Sequence, residues 1–394
     1  MKITLINPSK FFLMSLFTLF MLSCSSDSSD DSDDNPPLNA QLDIDQVDSS
    51  VESFLQTYNA PGAALAVSVN GKMVYSKGYG LADVDTNSST EADDHFRIAS
   101  ISKVFTAAAI MRLVDDNLIT VEHKVFGADG ILGNNFGSAT LTTDELNVTV
   151  DDLLLHQQGG WVNASGFDVI DYEPQLNNEQ FMEYILNNSE LTNSPGETYR
   201  YNNVGYWMLA RIIEEVSGQT YENYVRNMLA SAGITSFKTT TFRESDRESN
   251  EVKYYGHTGD EQYIYTIASR RDGDGGVVIS APDLLRFLTA VDGSTTRPDI
   301  ISTASQQWMK TTTSLSSLGR GFGVWEQQNV LYFTGSLPGN RSWFMIGENG
   351  VVATLLVNYR DVNNSTAYDA AIENLVLNIV NNSSIPWQTD LDQF

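Results

Sequence analysis

The segment Phe96 to Lys103 reads F-R-I-A-S-I-S-K and runs on into V-F-T-A-A-A-I, which leaves a lysine in almost wholly apolar surroundings. A lysine taken out of water loses part of its preference for the charged form, so its pKa falls and it can serve as a base near neutral pH. Residues three apart on a helix share a face, which sets Ser100 beside Lys103 about one turn away. A hydroxyl next to a base is an activated nucleophile. The tetrapeptide is equally consistent with Ser100 opening a helix and Lys103 carrying its charge to solvent along its own stem. Other residues must decide.

Ser100 is the one serine in the chain with a lysine three residues on. The sequence holds two Tyr-x-Asn triplets, Tyr201-Asn202-Asn203 and Tyr221-Glu222-Asn223, and their contexts differ. The first follows S-P-G-E-T-Y-R, where Pro195 and Gly196 punctuate a loop that can present Tyr201 to a cleft. The second lies inside a helical period, which predicts a surface position for Tyr221.

These groups need a scaffold. The apolar spacing from Asp43 to Tyr58 predicts an amphipathic helix stopped by Ala60-Pro61-Gly62. Two β-rich runs around Asn70-Gly71 predict a hairpin, and a second Asn-Gly pair at 349–350 lies among strand-like runs near the C-terminus. The segment after Ser100 is apolar on nearly all sides, which predicts a helix buried between layers. From Val150 to about Gly233 the pattern is mainly helical, and Tyr368 to Asn381 predicts a closing helix. Strands at both ends with helices between them predict one sheet built from the two termini, with a helical lobe inserted.

Ser-x-x-Lys at the head of a buried helix, Tyr-x-Asn about a hundred residues later and a Thr-Gly strand near the C-terminus resemble the serine β-lactamase and penicillin-binding-protein superfamily. The chain is similar in particular to the class C β-lactamase-like branch, which includes D-alanyl carboxypeptidases, D-aminopeptidases and related esterases. Further segments carry the resemblance: P-G-A-A-L-A-V, V-T-V-D-D-L-L-L-H, P-G-E-T-Y-R-Y-N-N-V-G-Y, G-G-V-V-I-S-A-P-D-L-L-R-F and G-F-G-V-W. It covers roughly residues 45 to 380. The implied fold is α/β of the α+β type: a mainly antiparallel sheet flanked by helices, an inserted all-helical lobe, and the site between them.

The resemblance also implies roles. Ser100 would be the acylated nucleophile, Lys103 its base or electrostatic partner, Tyr201 the proton shuttle and Asn203 a positioning group. The third motif of the family is Lys or His, a variable residue, then Gly on an edge strand; this chain has Phe333-Thr334-Gly335. The missing cation ordinarily helps to hold a substrate carboxylate, so its loss points toward neutral esters or amides and away from lactams and peptide C-termini. Arg341 could return a charge if it folded back, although a solvated hairpin arginine is the plainer expectation. Backbone N–H groups of Ser100 and Ser336 would form the oxyanion hole, where one donor lowers a barrier by about 3 kcal/mol. His156 is expected to be a structural histidine with satisfied nitrogens. No G-x-S-x-G elbow occurs, which disfavours a Ser-His-Asp triad.

Composition narrows the functions further. Asp and Glu outnumber Lys and Arg by 50 to 23, and a net charge of −27 repels nucleic acid. Four dispersed histidines and one cysteine give no metal-ligand spacing and no disulfide, and no cofactor is expected. Lys2 and Lys10 precede an apolar run, Phe11 to Leu22, that suits a signal peptide and is too short to span a bilayer. Leu22-Ser23-Cys24 resembles a bacterial lipobox, which implies lipidation at Cys24. The expected organisation is a signal peptide at 1–23, an acidic Ser/Asp tether at 24–38 and a hydrolase domain at 39–394. The expectation is a monomeric, lipid-anchored serine hydrolase of the bacterial cell envelope, acting on a small molecule or peptide with an ester, amide or lactam bond. The alternatives are a DD-carboxypeptidase or β-lactamase, or a catalytically weakened envelope binding protein.

Overall fold

The structure, a computed structural model, describes residues 43–162 and 168–394; the expected signal segment, the tether and Cys24 lie outside the described residues. Helix α1 (Asp45–Tyr58) ends at Asn59, which turns left-handed at φ 51°, and Gly62 begins the first strand. Asn70 and Gly71 both take positive φ, 51° and 78°, as a two-residue type I′ hairpin demands, and join β1 (Gly62–Val69) to β2 (Lys72–Asp83). Strands β3 (Ser88–Ser89) and β4 (His95–Arg97) lead into helix α2 (Ser102–Asp115). The helical part follows: α3 (Val150–Leu154), α4 (Asn178–Asn188), α5 (Asn203–Ser217) and α6 (Tyr221–Ala230). The chain then returns through β5 (Val277–Ser280), α7 (Ala281–Thr289) and α8 (Thr303–Lys310) to β6 (Gly323–Trp325), β7 (Val330–Leu337), β8 (Asn340–Gly347) and β9 (Val351–Val357), and closes on α9 (Ser365–Asn381). At the second Asn-Gly pair only Gly350 is left-handed, because that loop has three residues, 348–350.

One sheet runs β6-β7-β8-β9-β1-β2-β3 with every neighbouring pair antiparallel. The join between the terminal segments is β1 against β9, from Ala63 opposite Val357 to Val69 opposite Val351. Strand periodicity divides two cores: Ala63, Leu65 and Val67 face α1 and α9, whereas Ala64 and Ala66 face the core that contains α2 and α7. Helix α2 is buried on nearly every side, from Val104 and Phe105 through Met111. An apolar helix without a polar face can sit only between layers.

Tyr221 corrects the expectation drawn from its helical period. It opens α6 and is 1% exposed, and its hydroxyl meets Thr106 Oγ1 on α2 at 2.7 Å. The Thr106 hydroxyl in turn reaches the Gly273 carbonyl at 2.7 Å. A first-turn residue can face the core even where the rest of the helix reads as surface.

Candidate active site

Strand β4 pairs antiparallel with β5 and delivers the chain to Ala99, which is left-handed at φ 49°. A non-glycine residue in that region costs on the order of 1 kcal/mol or more and persists only where its surroundings hold it. Here they do. Ala99 is fully buried against Phe242 and Leu337, and Ser102 Oγ donates to its carbonyl at 2.6 Å while accepting the Val277 N–H at 3.0 Å. Ser100 follows in a single 3-10 turn (Ala99–Ile101), half-buried, immediately before α2.

Lys103, in the first turn of α2, is fully buried. Its Nζ donates to the Asp274 carbonyl at 2.6 Å and to Asn203 Oδ1 at 2.7 Å, and lies 3.4 Å from Ser100 Oγ. The rings of Tyr201 and Tyr206 lie 4.9 and 5.6 Å away. Desolvation lowers the lysine to about 7; the Asp274 carboxylate opposes that shift, Arg271 adds to it, and Asp168 opposes it. The lysine is thus divided between its two protonation states near neutral pH, as the apolar sequence context predicted.

Tyr201 and Asn203 flank the hub that places them. Asn202 is fully buried and caps α5 by accepting the Gly205 N–H at 2.9 Å; its Nδ2 donates to the Gly160 carbonyl at 3.1 Å, and its own N–H goes to His156 Nδ1 at 3.1 Å. A cap of this kind is worth about 1 kcal/mol. Asn203 therefore begins the helix with its amide aimed at Lys103, and its backbone N–H is taken by the Asp168 carboxylate. Tyr201 is 38% exposed, yet its ring lies 4.4 Å from that of His156 and 4.9 Å from Lys103 Nζ, and Ser100 is among the groups that act on its hydroxyl. Burial of the hydroxyl end pushes this phenol well above its usual range, and Ser100 works in the opposite sense.

His156 meets half of its expectation. It is buried and structural, held left-handed at φ 56°, but its Nε2 has no hydrogen-bond partner among the described residues. Desolvation, followed by the nearby Lys103 charge, holds it well below the ordinary imidazole range, so it is neutral.

Strand β7 closes the site. Strand β6 pairs only with Val330 to Tyr332, so among the described residues the half that carries Phe333-Thr334-Gly335-Ser336 has no strand neighbour on that side. Gly335 passes so close to the segment that leads to Ser100 that a Cβ there would collide with the Ile98 carbonyl and Ser342 Oγ. Ser342 Oγ donates to that same carbonyl at 2.7 Å, and Asn340 Nδ2 donates to Arg97 O at 2.9 Å. Thr334 is half-buried and Ser336 exposed. Phe333, 6% exposed and opposite Phe344, belongs to the core that contains α2.

Arg341 does not fold back, nor is it solvated. It is 8% exposed on the other face of the sheet, where Nε and Nη2 each approach Asp369 of α9 at 2.6 Å and Nη1 donates to the Gly335 carbonyl at 3.0 Å. The position where the resemblance leads one to expect a cation is apolar, and Arg341 supplies no replacement.

Asn202, Asp168, Arg271 and Asp274 were not singled out by sequence reasoning. An Asn immediately before an apolar helical period was a readable cap for Asn202, and the Arg271/Asp274 spacing sits in a glycine-rich run, R-R-D-G-D-G-G. No sequence feature marked Asp168. Among the described residues no cluster of metal-ligating side chains occurs.

Residues 47–378 match the family model described as Beta-lactamase. "Protein flp" of Staphylococcus aureus (strain NCTC 8325 / PS 47) is 28% identical over 201 residues, which is 50% of this chain and 39% of that protein's length. "Penicillin-binding protein 4" of Amycolatopsis lactamdurans is 26% identical over 322 residues, covering 76% of this chain and 81% of that protein. Among solved structures, D-amino acid amidase from Ochrobactrum anthropi SV3, complexed with D-phenylalanine, superimposes with a TM-score of 0.68 at 18% identity, covering 85% of this chain and 99% of the other. The chain belongs to the β-lactamase family, whose superfamily consists of serine hydrolases with this fold.

Proposed function

We propose that this chain is a serine hydrolase that forms an acyl-enzyme on Ser100 and acts on neutral acyl esters or D-amino-acid amides in preference to carboxylate-bearing lactams and peptides. The observation that carries the chemistry is the hydrogen-bond inventory of Lys103. A neutral amine has two N–H groups and one lone pair. The two short contacts, Asp274 O at 2.6 Å and Asn203 Oδ1 at 2.7 Å, take the hydrogens and leave the lone pair for the Ser100 hydroxyl at 3.4 Å. With the amine near 7, a large fraction of molecules is already in that form at neutral pH.

The reaction is balanced within the site. Ser100 Oγ attacks the acyl carbon as its proton passes to Lys103, directly or through Tyr201, whose ring lies 4.9 Å from the amine. The C–O or C–N bond of the substrate breaks and the leaving group takes up that proton. Water then attacks the ester on Ser100, giving its proton to the same base, and Ser100 is released protonated. The backbone N–H groups of Ser100 and Ser336 would stabilise the oxyanion of both steps.

The preference for neutral substrates rests on Phe333, which is buried where the resemblance places a cation, and on Arg341, which is spent on Asp369. The likeness to a D-amino acid amidase supports the amide end of this range. The same reading carries lipid anchoring at Cys24 and a place in the bacterial cell envelope, on the lipobox-like sequence alone. Turnover of a neutral p-nitrophenyl ester, a D-aminoacyl amide, a β-lactam and a D-Ala-D-Ala peptide tests it. The ester or D-amide should turn over at least tenfold faster than the other two; the reverse order would overturn the preference.

A further inference from the structure

Residues 271–277 run along one face of α2, and that face bonds their backbone at successive points. Thr106 Oγ1 donates to Gly273 O at 2.7 Å, Lys103 Nζ to Asp274 O at 2.6 Å, and Ser102 Oγ accepts from Val277 N at 3.0 Å. The segment is a tight turn in which the Gly275 N–H returns to Arg271 O at 3.0 Å and a Cβ at Gly276 would stand 2.8 Å from that same oxygen. Its first and fourth residues are tied by a buried ion pair. Arg271 Nε and Nη2 donate to one Asp274 carboxylate oxygen at 3.0 and 2.6 Å, Asp274 is fully buried, and Arg271 Nη1 also reaches Asp171 at 3.2 Å.

Removing two charges from water is costly, and a buried pair is poor evidence of stability in itself. This pair does have a geometric consequence: the residue whose carboxylate Arg271 grips is the residue whose carbonyl takes a hydrogen of Lys103. We propose that Arg271 and Asp274 are positioning residues for Lys103, their ion pair locking the 271–276 turn so that the Asp274 carbonyl is held against the amine. The proposal rests on the reading of Lys103 as the group that receives the Ser100 proton.

The groups that face Lys103 are Ser100 from its own segment, Tyr201, Asn203 and Tyr206 from around the start of α5, His156, Asp168, and the Arg271–Asp274 pair. Within this set Asp274 and Arg271 act on the amine in opposite senses. Losing one of them therefore leaves the other uncompensated.

The test is the rate of covalent labelling of the full chain by a fluorophosphonate from pH 5 to pH 10, with thermal melting recorded for each variant. Arg271→Met leaves an unbalanced anion and should move the rising limb about one pH unit toward alkaline; Asp274→Asn leaves an unbalanced cation and should move it about as far toward acid. The double variant should return close to the parent midpoint, with a plateau rate about tenfold lower because the turn is no longer tied. A merely structural role would lower labelling without opposite displacements, so midpoints that coincide, or that move in one direction in both single variants, overturn the proposal. Should the single variants melt below the assay temperature, Arg271→Lys decides: an unmoved midpoint with a plateau about tenfold lower supports the proposal, and an unmoved plateau overturns it. Labelling that persists in Ser100→Ala would overturn the acylation reading and this proposal with it. Labelling that depends on Ser100 but shows unmoved midpoints in both Arg271→Met and Asp274→Asn overturns the positioning role alone.

Discussion

Lys103 Nζ and Asn203 Oδ1 meet at 2.7 Å across a hundred residues of sequence. The contact joins the first turn of the buried helix to the first residue of the helix that Asn202 caps. It makes the two motifs one site: Asn203 takes one hydrogen of the amine, and the lone pair is thereby directed elsewhere.

The first consequence concerns pH. The proposed acylation needs the neutral amine, so its rate should rise with pH around a midpoint near 7. Lys103→Ala should lower the rate by about 10³-fold or more, and Lys103→Arg, which stays charged, should not restore it. A pH-independent rate in the parent protein would remove Lys103 from the proton path.

Gly335 is a matter of space. An alanine would collide with the Ile98 carbonyl, two residues before Ser100, and overpacking of this kind costs roughly 1–3 kcal/mol. Gly335→Ala should lower Tm by a few degrees and reduce labelling of Ser100 by more than the loss of folded protein explains. Calorimetry and labelling on the same sample separate the two effects.

Phe333 and Arg341 make a paired prediction about substrate charge. Phe333→Lys should raise the turnover ratio of carboxylate-bearing to neutral substrates by about tenfold while lowering Tm, because it replaces a core aromatic beside Phe344. Arg341→Met should leave that ratio unchanged, since its guanidinium faces Asp369 on the far side of the sheet. Competition assays with the two substrate types measure both ratios.

How much of this could be read from the chain depended on distance. The Asn70-Gly71 hairpin and the all-apolar α2 were legible because turn chemistry and periodicity are local. Ser100 and Lys103 were legible for the same reason, one turn apart. The rest was settled by packing. Tyr221 read as surface because a helical period cannot reveal that its first turn abuts Thr106. Arg341 found Asp369 28 residues away on another element, and Asp168 reached the Asn203 backbone across 35 residues. Neither partner leaves a trace in the spacing.

His156 ties the site to acid stability. Desolvation keeps its folded form neutral and well below the ordinary range, whereas the unfolded chain takes a proton near pH 6.5. Below that pH the unfolded state binds the extra proton, so the stability present above it is lost as pH falls. Between pH 8 and pH 5 the Tm of the parent should fall by about 3 °C more than that of His156→Gln. Equal falls would mean that the histidine is protonated in the folded state.

The most direct test of the whole account is intact-mass and peptide-level analysis after brief exposure to a fluorophosphonate, with Ser100→Ala alongside. The account predicts one adduct per chain, carried by the peptide containing Ser100, and none in the variant. An adduct on any other residue, or undiminished labelling of Ser100→Ala, would contradict it.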